Sequence, residues 1–231
     1  MGRAVVDYLT RAAGWLRRNH RADVPDERPL KVNLGSSLLV APGWLNLDGA
    51  LLALFAGWPA PVLRLLYRLA GIRAVLSEDE FLRVLSGNRF VHHDMSYGIP
   101  LPDQSADFVF SSHFLEHLSK ADGEKLMTET LRVLRPGGVV RILVPDLDQA
   151  IAAYADGRKE EAMEGIFEGW ELGDYARHRY MYDYDLLAGL LERVGFTDVR
   201  RCQAREGRVP DLDVLDRREN SLIVEAARPR E

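Results

Sequence analysis

The chain has 231 residues, 47% hydrophobic and 28% charged, enough for one globular domain with a sizeable core. Its formal net charge of -5 argues against broad electrostatic attraction to nucleic acid, so no nucleic-acid partner is expected. The single cysteine, Cys202, excludes an internal disulfide and fits a reducing, cytoplasmic compartment, and arginines break the N-terminal stretch where a secretory signal would lie.

Residues 3–21 read as a basic amphipathic helix, with Val5, Val6, Leu9, Ala13 and Leu16 set against Arg3, Arg11, Arg17 and Arg18. Such a helix suits packing on the domain or peripheral contact with a membrane surface. The polar, Pro-containing stretch 21–29 is a linker, so 1–29 is expected to precede a single domain at 30–231. Strands are expected at 31–34 and 44–48. Residues 50–88 form a helical, apolar insert; Pro59, Pro61, Arg64 and Arg68 interrupt its most apolar run and argue against a membrane-spanning helix. A third strand covers 89–94, a Pro-broken loop 99–102, a fourth strand 106–111, a helix about 124–134 and a fifth strand 139–144. Residues 147–182 are mostly helical and aromatic-rich (Tyr154, Phe167, Trp170, Tyr175, Tyr180, Tyr182), placed where a lid over the sheet edge would fit. An amphipathic helix at 184–194 carries Leu186, Leu187, Leu190, Leu191 and Val194 on one face, and Gly195 supplies a left-handed cap. Residues 196–202 and 221–226 read as the last two strands. Strands alternating with helices predict an α/β fold: a Rossmann-like, doubly wound, mainly parallel seven-stranded sheet with helices on both faces and helical inserts over its C-terminal edge.

Open α/β sheets bind ligands beyond the carboxyl ends of their strands. The turn Asn33-Leu34-Gly35-Ser36-Ser37 follows the first strand, and Asp48 is the first acidic residue after it, at the end of the second. A carboxylate there can accept both hydroxyls of a ribose. The turn is poor for NAD: Ser37 replaces a glycine, and Pro42 falls inside what should be the phosphate-binding helix. Asp94 ends the third strand, and Ser111, Ser112, His113, Glu116 and His117 follow the fourth.

The run 105–146, with its RVLRPGG turn between a helix and an apolar strand, resembles the middle of class I S-adenosylmethionine-dependent methyltransferases. The segment VNLGSSLLVAPGWLNLD is similar to a methyltransferase type 11-like subgroup with an LNLGCG…PGWINVD opening and a shortened first crossover. HRYMYD at 178–183 and DRRENSL at 216–222 fit the same subgroup, so the resemblance spans about residues 31–228, with 50–88 the least matched part. It implies S-adenosylmethionine as cofactor and S-adenosylhomocysteine as product. Asn33, Gly35, Ser36 and Ser37 would meet the methionine end, with Ser111 and Ser112 beside them; Asp48 would meet the ribose, Asp94 the adenine amino group and the Met95 N–H a ring nitrogen. The departure is Ser36-Ser37, where the family often has Cys-Gly or Ser-Gly. If the second position needs a positive φ, Ser37 is strained. That substitution motivates an alternative, a catalytically inactive methyltransferase-like binding or scaffold module.

Methyl transfer from a sulfonium is an in-line displacement, so the protein mainly orients the acceptor. A base is needed only where the nucleophile must lose a proton. His113 is the candidate base, although a histidine at a strand end can instead bond the backbone. Glu116, three residues on, can orient His113, meet the cofactor's positive methionine end, or cap the next turn. His117 reads as a residue packed on the helix. His178, Tyr180 and Tyr182 are candidates to line the acceptor pocket, though lid aromatics also serve as core. The acceptor is expected to be a small molecule, a glycan or a lipid-linked substrate, and the apolar run 50–72 suggests a large or hydrophobic one, lipid-linked or glycan-bearing. No metal site is read: there is no Cys–His spacing and no HExxH, and the adjacent His92 and His93 point to opposite faces of a strand.

Overall fold

A computed structural model describes residues 3–25, 27–69, 76–169 and 176–231. Helix α1 (Arg3–Leu16) precedes β1 (Lys31–Leu34) and β2 (Trp44–Asp48). A 3-10 turn (Leu51–Phe55), α2 (Ala60–Leu69) and α3 (Glu78–Gly87) make up the insert. Then come β3 (Arg89–His92), β4 (Ala106–Ser112), a 3-10 turn (Leu115–His117), α4 (Lys120–Val133) and β5 (Leu134–Val144). Helices α5 (Leu147–Ala155), α6 (Lys159–Ile166) and α7 (Tyr184–Val194) follow, then β6 (Thr197–Arg201), α8 (Leu212–Leu215) and β7 (Leu222–Ala227).

The strands form one seven-stranded sheet in the order β3-β2-β1-β4-β5-β7-β6. Neighbours from β3 to β5 pair in parallel, and β7 runs antiparallel to both β5 and β6. The chain winds outward from β1 to β3, then returns to β4 on the other side of β1, so the order reverses there and opens a crevice at the strand ends. Apolar runs explain the strands: Val32, Leu34, Val109, Val140, Ile142 and Val144 are buried against Leu126 and Met127 of α4 and Leu187 and Leu191 of α7. Phe110, Leu143 and Ile223 lie in a second cluster with Trp44, Val209, Leu212 and Leu215, so the segment leading into α8 covers that part of the sheet. The insert has its own cluster, Leu63, Tyr67, Phe81 and Leu85, against which Phe90 of β3 packs.

Polar caps set several boundaries. The Ser119 side chain accepts from the Asp122 N–H and starts α4 at Lys120, earlier than the apolar periodicity indicates. Gly195, at φ 111°, closes α7 in the left-handed conformation expected of it. Helix α1 ends at Leu16 rather than near residue 21. The crossover at 35–43 contains no helix, and β5 starts at Leu134, because Leu134 pairs with Ala106 and the Arg-Pro-Gly-Gly run spans a register irregularity before Val139 pairs with Phe108. The short α8 was not anticipated. Within the expected lid, Trp170 and Tyr175 lie outside the described residues. Among the described residues no helix is long and apolar enough to cross a membrane.

Arg141 of β5 is fully buried and pairs with two buried carboxylates. Its Nε and Nη2 donate to Asp216 at 3.1 and 2.5 Å, and its Nη1 donates to Glu225 of β7 at 3.0 Å. The Glu206 and Gln203 carbonyls accept two further bonds, which ties the 203–216 segment to the sheet.

Candidate functional site

The turn after β1 is shaped by two left-handed residues, Gly35 at φ +62° and Ser37 at φ +46°. The strain foreseen at Ser37 is therefore present, and it is offset locally: the Ser37 N–H donates to Asp48 Oδ2 at 2.5 Å. Asp48 Oδ1 accepts from the Ala50 N–H at 2.6 Å, so this one carboxylate bridges the loops after β1 and β2. Burial pushes the Asp48 carboxyl above its ordinary value, against the two N–H donors, which favour the charged form. The Ser36 and Ser111 hydroxyls are buried with no hydrogen-bond partner among the described residues. Leu34 is in register with Ser111, so both orphaned hydroxyls sit where β1 and β4 end together.

Asn33 has a different task. Its side-chain amide donates to the Leu39 carbonyl at 2.8 Å and to Asn46 at 3.1 Å, holding the turn to β2. Asp94 caps the short turn that begins at Met95, accepting from the Ser96 N–H at 3.0 Å. Helix α1 lies directly on it: a Cβ built at Gly14 would be 2.9 Å from Asp94 Cβ. Phe114 covers the β1 turn in the same way, with its Cγ 2.3 Å from a Cβ built at Gly35. Both glycines are demanded by close approach. Gly14 and Phe114 escape a reading of the sequence because each looks like ordinary helix or core.

His113 follows Ser112 with a positive φ of 49°, a strained position for a residue with a side chain. Its N–H donates to the Leu143 carbonyl at 2.9 Å. The ring is held at both ends: Nε2 lies 2.8 Å from Ser221 Oγ, and Nδ1 lies 3.2 Å from Glu116 Oε1. The Glu116 side chain is fully buried, so it can orient the ring from one end while Ser221 holds the other.

The segment after the lid docks on the turn that holds Glu116. The Arg179 and Tyr180 N–H groups both donate to the Glu116 carbonyl, at 2.7 and 3.2 Å. This brings His178, Tyr180 and Tyr182 together with Glu116. The His117 and His178 rings lie 5.3 Å apart, and the Tyr180 and Tyr182 rings meet edge-on at 5.0 Å. His117, expected to pack on the helix, thus lies against His178. Burial holds the His178 imidazole below its usual value, against the pull of the Glu116 charge. Burial also pushes the Tyr182 hydroxyl upward, helped by Tyr180 and Glu116, and that hydroxyl makes no hydrogen bond among the described residues. Ser112 is half-buried beside the group, where β4 ends. The two imidazoles and the buried carboxylate can bind, orient or carry a proton for a bound molecule.

Residues 57–142 match a family model described as a methyltransferase domain. That match begins inside the insert and ends within β5. A relative in Mycobacterium tuberculosis, named "Probable S-adenosylmethionine-dependent methyltransferase Rv3030", is 30% identical over 128 residues, which is 55% of this chain and 39% of that protein. The chain thus spans about two fifths of the length of the curated relatives it matches. Among solved structures, a SAM-dependent methyltransferase from Thermotoga maritima aligns with a TM-score of 0.49 and 14% identity, covering 97% of this chain and 92% of that one. One from Archaeoglobus fulgidus aligns with a TM-score of 0.45 and 16% identity, covering 98% and 94%.

Proposed function

We propose that this chain is a class I S-adenosylmethionine-dependent methyltransferase, which transfers a methyl group from S-adenosylmethionine to an acceptor and releases S-adenosylhomocysteine. The observation that carries the reading is the convergence at the β1, β2 and β4 ends of a buried Asp48 carboxylate with two orphaned hydroxyls, Ser36 and Ser111. These groups fit a cofactor with a ribose and a zwitterionic amino-acid tail. Asp48 would hold the ribose, Asp94 and the Met95 N–H the adenine, and Gly35, Ser36, Ser37 and Ser111 the methionine end, near Ser112. The cofactor supplies the activated methyl group and its own leaving group. The protein's part is to hold the acceptor in line and, where the acceptor is a hydroxyl or acidic carbon, to take its proton, for which His113 is the candidate. His178, Tyr180 and Tyr182 would line the acceptor side.

The acceptor is proposed to be hydrophobic or lipid-linked, at a membrane surface or in solution. Exposed Trp58, Leu65 and Leu69 on the insert and Tyr8, Trp15 and Leu16 on α1 support this. Sedimentation with anionic liposomes tests the membrane part; a protein left wholly in the supernatant removes it.

Calorimetric titration with S-adenosylmethionine and S-adenosylhomocysteine, alongside Asp48→Ala and the gentler Asp48→Asn, tests the cofactor site. Binding that both substitutions weaken supports the reading. A folded protein that binds neither ligand returns the weight to an inactive binding module.

A further inference from the structure

Glu116, His117 and His178 each offer a ligand atom within 4.8 Å of the others. Three features show that this is more than a chance meeting of polar side chains. The first is the state of Glu116. Its side chain is 0% exposed, and neither carboxylate oxygen makes a hydrogen bond among the described residues; His113 Nδ1 lies 3.2 Å from Oε1. A bare carboxylate buried in this way is expensive unless a positive charge sits against it.

The second feature is the orientation of the two histidines. His117 Nδ1 lies 3.3 Å from the Arg177 carbonyl, and His178 Nδ1 lies 3.0 Å from the Gly165 carbonyl. A carbonyl only accepts, so each Nδ1 carries a proton, and the lone pair that each ring can offer a metal is on Nε2. Backbone carbonyls that fix the tautomer in this way are the usual outer partners of metal-bound histidines. The third feature is rigidity. The Arg179 and Tyr180 N–H groups clamp the His178 segment onto the Glu116 carbonyl, so the three ligands come from two segments already bonded together.

We propose that Glu116, His117 and His178 bind one divalent first-row transition-metal ion, which in turn coordinates an oxygen of the acceptor. Two imidazoles and one carboxylate select an ion of the zinc, manganese or iron(II) class over magnesium or calcium, whose ligands are oxygens. Three protein ligands leave coordination positions open, as sites that act on a substrate do. The His113 ring, with Nδ1 3.2 Å from Glu116 Oε1, adjoins the same group. The acceptor clause rests on the methyltransferase reading and narrows it to an acceptor with a hydroxyl or carboxylate oxygen. The ion site itself does not depend on that reading.

The test uses the full chain, freed of metal by chelator and without cofactor. Cobalt(II) is titrated while its visible ligand-field absorption is followed, and zinc(II) is titrated by calorimetry. One ion per chain is expected. Glu116→Gln and His178→Gln should each weaken binding by more than the roughly 10–100-fold that loss of an outer partner costs. Asp48→Ala should leave ion binding intact. Circular dichroism confirms folding, and if Glu116→Gln does not fold, His117→Gln decides. A folded chain that binds neither ion, or binds both equally well in all three variants, overturns the site. Ion binding without any binding of S-adenosylmethionine would sink the methyltransferase reading and leave the ion site standing.

Discussion

Arg141→Met is the sharpest probe of what holds this sheet together. The arginine donates five hydrogen bonds, at 2.5 to 3.1 Å, to two carboxylates and two carbonyls, and all three charged side chains are fully buried. Methionine fills much of the volume but takes the guanidinium from both carboxylates and strands Asp216. Glu225 keeps Arg208 and Arg200 as partners, at 3.1 and 3.2 Å. Asp216 keeps only the Arg205 N–H, at 2.8 Å, among the described residues. Removing one partner of a buried ion pair costs about 3–5 kcal/mol. For a chain of this size that lowers Tm by roughly 6–20 °C. Adding Asp216→Asn should recover part of the loss, because the stranded charge is gone. Acidification gives a second check. Burial raises the Glu225 carboxyl, but Arg208, Arg200 and Arg141 outweigh it and hold it below the ordinary value of 4.5. The stability it contributes is present above that value and is lost as pH falls through the lower folded value. Loss of Arg141 removes one of the cations that hold Glu225 down, so the gap between the two proteins should narrow as pH falls below that value. Thermal and urea melts followed by circular dichroism measure it. A Tm change below about 2 °C, or no recovery with Asp216→Asn, refutes the reasoning.

Three other substitutions read the site. Gly35→Ala puts a Cβ 2.3 Å from Phe114 Cγ at φ +62°, so it should abolish S-adenosylmethionine binding by calorimetry; adding Phe114→Ala should restore it only in part, since about 1–2 kcal/mol of backbone strain remains. Burial raises the Asp48 carboxyl, so S-adenosylmethionine affinity should fall on acidification beginning above the ordinary carboxylate value of 3.8, and Asp48→Asn should show weak, pH-independent binding over that range. Ser221→Ala removes the 2.8 Å contact to His113 Nε2, so kcat on an active acceptor should drop while S-adenosylmethionine affinity stays within about twofold; an unchanged kcat would mean that Ser221 does not position the ring.

Most of the sheet was readable because its strands are short apolar runs bounded by Gly, Pro and charged residues, and burial on both faces leaves such runs few alternatives. Asp48 and Asp94 were readable for a related reason: an acidic residue ending a buried strand has little to do there unless it binds something or caps a turn. Asp94 does cap one, and α1 covers it. Boundaries set by side-chain caps or irregular pairing were harder, as with the start of α4 at Ser119 and of β5 at Leu134. The pocket walls were the least legible. His117 meets the Arg177 carbonyl across 60 positions, and His113 meets Ser221 across 108. No periodicity reports such meetings, so a histidine beside Glu116 looked like a packing residue and the grouping with His178 was invisible. Phe114 was hidden by its own chemistry, because an apolar residue covering a glycine turn resembles any core residue.

The segment 216–222 joins these two levels. Asp216 is gripped by Arg141 inside the sheet, and Ser221, a few residues on, holds His113 at the edge. Between them the chain must leave the second cluster and enter β7 at Leu222 in register with Val144. The grip on Asp216 therefore sets where Ser221 arrives. It follows that Arg141→Met should lower kcat even when assayed well below its own melting temperature, while ion binding by Glu116, His117 and His178 stays unchanged, because their clamp is made by the Arg179 and Tyr180 N–H groups and not by β7. Combining Arg141→Met with Ser221→Ala separates transmission from general loosening. If Arg141 acts through Ser221, the double variant should have the kcat of Ser221→Ala alone. If the two losses multiply, Arg141 reaches the site by another route and Ser221 is not its relay.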